Sequence, residues 1–279
     1  MAPDELLWQF STNGGKMSSW RDRLQREFQA STSLPLWREA FLGVDWISLR
    51  MSPVYRGIGV PRGDQSAVVV IPGFMGSDQY LGDMNAWLRR IGYRPYLSNI
   101  GRNADCPDVL ALRLHQTMMR AREETGENVH LIGHSLGGVL ARSAAVRWPE
   151  ITASVTTMAS PFRGVRVHPF VLQTAFIVRG RIIQKNGRED HKPNCYSGYC
   201  SCAFMEALTE EFPEAVRQQA IYTKSDGVVD WRCCINDDPE TDVEVPGTHV
   251  GLAFNPRVYR QIANFLAGET AKKKKKKVA

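Results

Sequence analysis

Short uninterrupted apolar runs alternate with longer amphipathic stretches along most of the chain. Ala67-Val68-Val69-Val70-Ile71 is β-branched and uncharged, the composition of a strand buried on both faces. Val129-His130-Leu131-Ile132 reads the same way, and weaker strand patterns fall at 220–223 and 242–245. Helical stretches occupy 78–91, 105–125, 136–148 and 256–267, with Thr125-Gly126 as a stop before the second strand. Strands separated by helices predict a mostly parallel sheet with helices on both faces. The 279 residues suffice for one large α/β domain, placed at 63–270.

Residues 1–62 precede this pattern and read as a helical extension packed on the core. They carry Trp8, Trp20, Trp37 and Trp46, with Leu24 and Phe28, then Leu36, Phe41 and Leu42, at helical spacing. Ser33 with Pro35 marks a helix start. The acidic beginning and the lack of a continuous apolar stretch argue against a signal peptide or a transmembrane helix, so a cytoplasmic protein is expected.

Charge changes the picture at one end only. Lys272 and Lys277 bound an uninterrupted run of six lysines, and setting it aside leaves the 29 acidic residues balanced by as many basic ones. The net charge of +6 therefore belongs to a tail, 271–279, expected to self-repel and stay disordered. Such a tail is a solvated terminus or a tether to an anionic membrane surface. The body shows no basic patch interleaved with aromatics, which excludes nucleic acid as the partner.

The candidate chemistry centres on Gly133-His134-Ser135-Leu136-Gly137, set between the predicted strand at 129–132 and the helix at 136–148. A serine between glycines at a strand-to-helix turn is a nucleophile elbow. The tight turn lifts the hydroxyl clear of the sheet, and the following helix aims its N-terminus where an oxyanion would form. A five-residue match is common by itself, so the flanking elements carry the weight. Pro72-Gly73-Phe74-Met75-Gly76-Ser77 follows the first strand. That glycine-rich turn offers the backbone N–H of Phe74, or of Met75 if the turn is offset by one, as a candidate oxyanion donor alongside that of Leu136.

Downstream, Asp226 in Ser225-Asp226-Gly227 and His249 in Gly247-Thr248-His249 each follow a predicted strand, the edge where open α/β sheets collect ligands. The order serine, acid, histidine suits a nucleophile with its base and orienting acid. Asp230 competes with Asp226, which is preferred because Gly227 permits a tight turn and Val228-Val229 would then pack inward. His134 should face away from the serine and pack, His130 should lie on a strand, His115 on a surface helix, and His168 and His191 in an insertion. No histidine pair has the spacing of a zinc protease, and no phosphate loop follows the glycines.

Five of the six cysteines cluster at Cys195, Cys200, Cys202, Cys233 and Cys234, apart from Cys106. Their spacing is not a standard zinc pattern, although His191 keeps a metal site in view. Reduced thiols are the default reading, with a staple between Cys202 and Cys234 as the alternative.

Together these segments resemble the serine-dependent α/β-hydrolases, closest to their lipase and carboxylesterase branch. Ile71-Pro72-Gly73-Phe74-Met75-Gly76, Gly133-His134-Ser135-Leu136-Gly137-Gly138, Ala159-Ser160-Pro161-Phe162-Arg163-Gly164, Ser225-Asp226-Gly227-Val228-Val229 and Gly247-Thr248-His249-Val250-Gly251 carry the resemblance. Pro72 departs from the family's common His-Gly at the oxyanion turn, a change the backbone donor does not feel. The resemblance implies a Ser135-Asp226-His249 triad, oxyanion donors Phe74 and Leu136, no cofactor or metal, and a small lipophilic ester as substrate. It also implies a lid or cap insertion, placed at about 164–213. Residues 168–178 are strongly apolar for a surface excursion and predict a lid helix lining an acyl pocket or packing on the core. The charged stretch 179–192 reads as a flexible loop. An acyltransferase or a polyester depolymerase would use the same parts, and a non-catalytic binding protein is the contrasting reading.

Overall fold

Six strands, β1 (Ala67–Ile71), β2 (Arg94–Leu97), β3 (Val129–His134), β4 (Thr152–Met158), β5 (Arg217–Tyr222) and β6 (Asp242–Glu244), form one parallel sheet in the order β2-β1-β3-β4-β5-β6. The structure, a computed structural model, describes residues 34–164, 166–186 and 202–278. Its helices are α1 (Leu42–Met51), α2 (Gly82–Arg90), α3 (Pro107–Thr125), α4 (Leu136–Arg147), α5 (Pro169–Asn186), α6 (Ala203–Ala207) and α7 (Pro256–Val278).

The alternation of strand side chains divides the core in two. Val68 and Val70 of β1 join Met84, Trp87 and Leu88 of α2 and Val258, Ile262 and Leu266 of α7. Ala67, Val69 and Ile71 point the other way, to Leu110, Leu114 and Met118 of α3 and Leu140 and Ala144 of α4. Both faces of the sheet are covered, which is why β1 is apolar at every position. β2 escapes the hydropathy pattern for the opposite reason. It lies at the edge, its side chains are partly or fully exposed, and Pro95 interrupts it, as an edge strand tolerates.

The chain passes from β1 outward to β2 and then returns to lay β3 on the other side of β1. The C-terminal ends of β1 and β3 thus flank a topological switch point, the crevice where open α/β sheets bind ligands. Pro72-Gly73-Phe74 leaves β1 there and Ser135 leaves β3 there. A Cβ on Gly137 would overlap the carbonyls of Ile71 and Pro72, and one on Gly133 the backbone of Gly137. Backbone cannot move aside as a side chain can. Gly137→Ala is therefore expected to cost about 3 kcal/mol or more, and an unchanged urea midpoint would contradict this account of the elbow.

Ahead of the sheet, a 3₁₀ helix at Leu36–Phe41 and α1 lie on the α2 and α7 side. Leu49 and Val54 are buried in that core. Asp83 of α2 accepts from Trp46 Nε1 (2.8 Å), an Arg50 guanidinium nitrogen (2.7 Å) and the Tyr55 hydroxyl (2.6 Å). Trp8, Trp20, Leu24 and Phe28 lie outside the described residues.

Three sequence expectations change. Helix α5 continues to Asn186, through part of the stretch expected to be a loop. Gly180 costs such a helix about 1 kcal/mol, but Val178 and Ile182, one turn apart, are both buried, and that packing carries the helix onward. Helix α7 runs to Val278 through the six lysines expected to be disordered. Its packed first turns remove the nucleation cost of carrying the helix onward. The Cys202–Cys234 staple is not formed. Cys234 keeps a free thiol beside Val167 and Val229 and donates to the Asp230 carbonyl at 3.9 Å, while Cys202 packs with the α3 and α4 core. Cys195, Cys200 and His191 lie outside the described residues. Among those described, no helix is long and apolar enough to cross a membrane.

Candidate active site

β3 ends at His134 and α4 begins at Leu136, so Ser135 makes the turn alone. Its φ of 53° and ψ of −125° are a conformation non-glycine residues seldom adopt, and such strain persists only where the surroundings impose it. Here the Ser135 N–H donates to the Met158 carbonyl of β4 (2.8 Å), and its own carbonyl accepts from the Gly138 N–H (3.0 Å). The result is a half-buried hydroxyl at the open end of the sheet.

Asp226 and His249, 23 positions apart, meet next to His134, the residue before the serine. Both are almost fully buried. His249 Nδ1 donates to Asp226 Oδ2 at 2.8 Å, and Asp226 Oδ1 accepts the N–H groups of Val228 and Val229, each at 2.8 Å. The second oxygen is thus fixed by the turn, which leaves the first aimed at the imidazole. Burial alone would disfavour an imidazolium. The charge of Asp226, its hydrogen bond and the more distant Glu39 carboxylate together outweigh burial and hold the His249 pKa above its ordinary value.

His134 sits between the elbow and the histidine loop. Its Nε2 lies 2.9 Å from the His249 carbonyl. A carbonyl only accepts, so Nε2 carries the proton and Nδ1 is bare. Burial, and then the proximity of His249, push the His134 pKa down to about 3, so this ring stays neutral. On the other wall, a Cβ at Gly73 would stand 3.1 Å from Ser135 Cβ, so the β1 turn lies directly against the serine. The Met75 N–H is engaged by the Asn103 carbonyl at 2.8 Å. That commits the N–H of the offset alternative to another partner. Leu136 opens α4, where the first N–H groups of a helix have no partner within it.

This arrangement can be set against proteins of known structure. A monoacylglycerol lipase from Paleococcus ferrophilus superposes with a TM-score of 0.51, at 16% identity, over 75% of this chain and 96% of that one. The chain has the α/β-hydrolase fold. No protein-family model matches it. A triacylglycerol lipase from Burkholderia plantarii is 28% identical over 138 residues, which are 46% of this chain and 38% of the relative. Another protein of that name, from Pseudarthrobacter phenanthrenivorans, is 31% identical over 113 residues, 37% of this chain and 35% of the relative. The matches span little more than a third of the length of these curated relatives.

Within this fold the remaining polar candidates are engaged with other partners. Asp230 caps the short helix Trp231–Cys234, accepting the Arg232 N–H at 3.0 Å, and also pairs with the Arg232 and Arg166 side chains. His130 contacts Ser154 Oγ across β3 and β4 at 2.8 Å. His115 stacks on Trp148, and His168 Nδ1 accepts the Phe170 N–H at the start of α5. Among the described residues no cluster could hold a metal ion. Two residues beside the site gave no sequence signal for their roles. His134 read as packing alone, and Glu39 belongs to a segment 210 positions ahead of His249, with nothing local to mark it.

Proposed function

We propose that the protein is a serine hydrolase that cleaves carboxylic esters through an acyl-enzyme. The observation that carries this reading is the buried 2.8 Å Asp226–His249 hydrogen bond, joined through the His134–His249 contact to the turn that holds Ser135 at positive φ. Ser135 Oγ attacks the ester carbonyl while His249 Nε2 takes its proton. The same imidazolium then protonates the departing alkoxide, and a water activated by His249 releases the acid. Asp226 holds the imidazole in the tautomer with Nδ1 protonated and stabilises its charged form. The N–H groups of Phe74 and Leu136 receive the oxyanion, which needs no cofactor.

Lipophilic esters are the proposed substrates. A cavity of ≈ 170 Å³ beside the turn after β1 is lined by the apolar Met75, Ala104, Val178 and Ile182 and by the charged Arg102, Asp105 and Arg181. Helix α5 covers it as a lid and is tied to the acid loop, since the His168 N–H donates to the Val228 carbonyl (2.8 Å) and Val167 pairs with Val229. The lipase names of the sequence relatives support an acyl-chain substrate. The test is hydrolysis of p-nitrophenyl esters from acetate to palmitate, with labelling by an organophosphonate. Turnover with a chain-length optimum is expected. The absence of both turnover and labelling would overturn the reading, and product diverted to an added alcohol would make the protein an acyltransferase.

The reaction also has a predicted pH dependence. His249 acts as a base only when neutral, and its pKa is raised. kcat/KM should therefore rise with pH through an apparent pKa above the ordinary histidine value of 6.5. A limb centred at or below that value would show that Asp226 and Glu39 do not govern His249 in solution.

A further inference from the structure

The carboxylate of Glu39 faces the backbone of both loops that carry the acid and the base. Its Oε1 accepts the N–H of His249 at 2.9 Å and that of Gly227 at 3.3 Å, and its Oε2 accepts the N–H of Val250 at 2.9 Å. Gly227 directly follows Asp226, so one side chain joins the two loops whose own side chains make the Asp226–His249 pair. Among the described residues Glu39 makes no ion pair, and its charge is directed at backbone donors, the setting in which hydrogen bonds are strongest.

The surrounding segment is seated on the same loops. A Cβ on Gly227 would stand 2.7 Å from the Pro35 carbonyl and 3.0 Å from Glu39 Oε1, and one on Gly251 would overlap the Asp45 carboxylate. This segment precedes the first strand and belongs to neither core strand nor elbow.

We propose that Glu39 is a positioning residue that clamps the histidine and aspartate loops to the segment ahead of β1 and sets the geometry and charge balance of His249. The proposal rests on the reading of His249 as general base. Five other groups face the same loops. Asp226 bonds the imidazole, and His134 donates to the His249 carbonyl (2.9 Å). The Tyr80 hydroxyl donates to the Val250 carbonyl (3.4 Å), Asp45 lies against Gly251, and Asp230 follows the acid turn. Unlike these five, Glu39 brings a full charge onto the backbone N–H of His249 itself.

Glu39→Gln tests this. It removes the charge and turns an amide NH₂ toward donors that need an acceptor. kcat should fall about 10-fold with KM little changed, the signature of a misplaced base. The acidic limb of kcat/KM should move to lower pH, because a neutral neighbour stabilises the imidazolium less. Glu39→Asp keeps the charge with a shorter reach, so it should lose kcat while the limb stays near that of the wild type. It also serves if the glutamine variant fails to fold. Wild-type kcat and limb in a folded Glu39→Gln protein would overturn the proposal. So would a fall in activity that follows the urea midpoint with the limb unmoved. The imidazole titration of His249, followed by NMR and assigned with His249→Ala, needs no substrate. If the wild type neither hydrolyses esters nor takes up an organophosphonate, the hydrolase reading fails. The titration still decides the clamp, which stands if Glu39→Gln lowers the His249 pKa and falls if it does not.

Discussion

Ser135→Ala is expected to lower ester hydrolysis by about 10⁵-fold while leaving the protein as stable as the wild type. The two halves of that expectation have separate causes. Activity depends on Oγ, and within the proposed mechanism no other group stands at the elbow to attack the carbonyl. Stability depends on the turn. Its backbone bonds, from the Ser135 N–H to Met158 and from the Gly138 N–H to the Ser135 carbonyl, do not involve the side chain. Alanine carries the same Cβ as serine, so it meets the same steric cost at φ 53°. The proposed oxyanion donors, Phe74 and Leu136, also stay in place, and a residual rate above that of water should survive. Organophosphonate labelling should disappear. A folded Ser135→Ala protein with a tenth of wild-type activity would remove Ser135 from the mechanism.

What the sequence disclosed and what it withheld follow from the range of the interactions. β1 and the elbow were legible because their constraints are local. A strand covered on both faces must be apolar at every position, and a one-residue strand-to-helix turn must have glycines where backbones touch. β2 was not legible, since an edge strand with Pro95 and exposed side chains satisfies no periodic rule. The length of α5 depended on Val178 and Ile182 finding a surface to bury against, which a hydropathy pattern cannot report. Asp226 could be preferred over Asp230 from its neighbour Gly227. In the structure Asp226 bonds His249, while Asp230 caps the helix at Trp231 and pairs with arginines. Glu39 lay furthest from view. Its contacts span 188 to 211 positions, and its partners are backbone groups that every residue carries.

Asp226→Asn should cost about 10⁴-fold in kcat with little loss of stability, because the turn forces the amide into one orientation. Asp226 Oδ1 accepts two backbone N–H groups, from Val228 and Val229, whereas Oδ2 accepts one imidazole N–H. An asparagine that turned its NH₂ toward the two backbone donors would leave both unpaired in a buried turn, at about 1–3 kcal/mol each. It will instead keep its carbonyl on the backbone and present NH₂ to His249 Nδ1. The imidazole must then become the acceptor at Nδ1 and move its proton to Nε2. In that tautomer it cannot take the proton of Ser135, and the loss expected is that of a triad with its histidine reversed. His134 does not oppose the change, since it holds the His249 backbone carbonyl and leaves the ring free to change tautomer. The urea midpoint should stay close to wild type because the Val228 and Val229 bonds survive. Asp230→Asn is the matched control, four residues away, with its carboxylate on its own helix cap and on two arginines. It should leave kcat within about twofold of wild type. If the two variants were equally active, the Asp226–His249 hydrogen bond would be a feature of packing, and the base would have to be oriented by the backbone clamp alone.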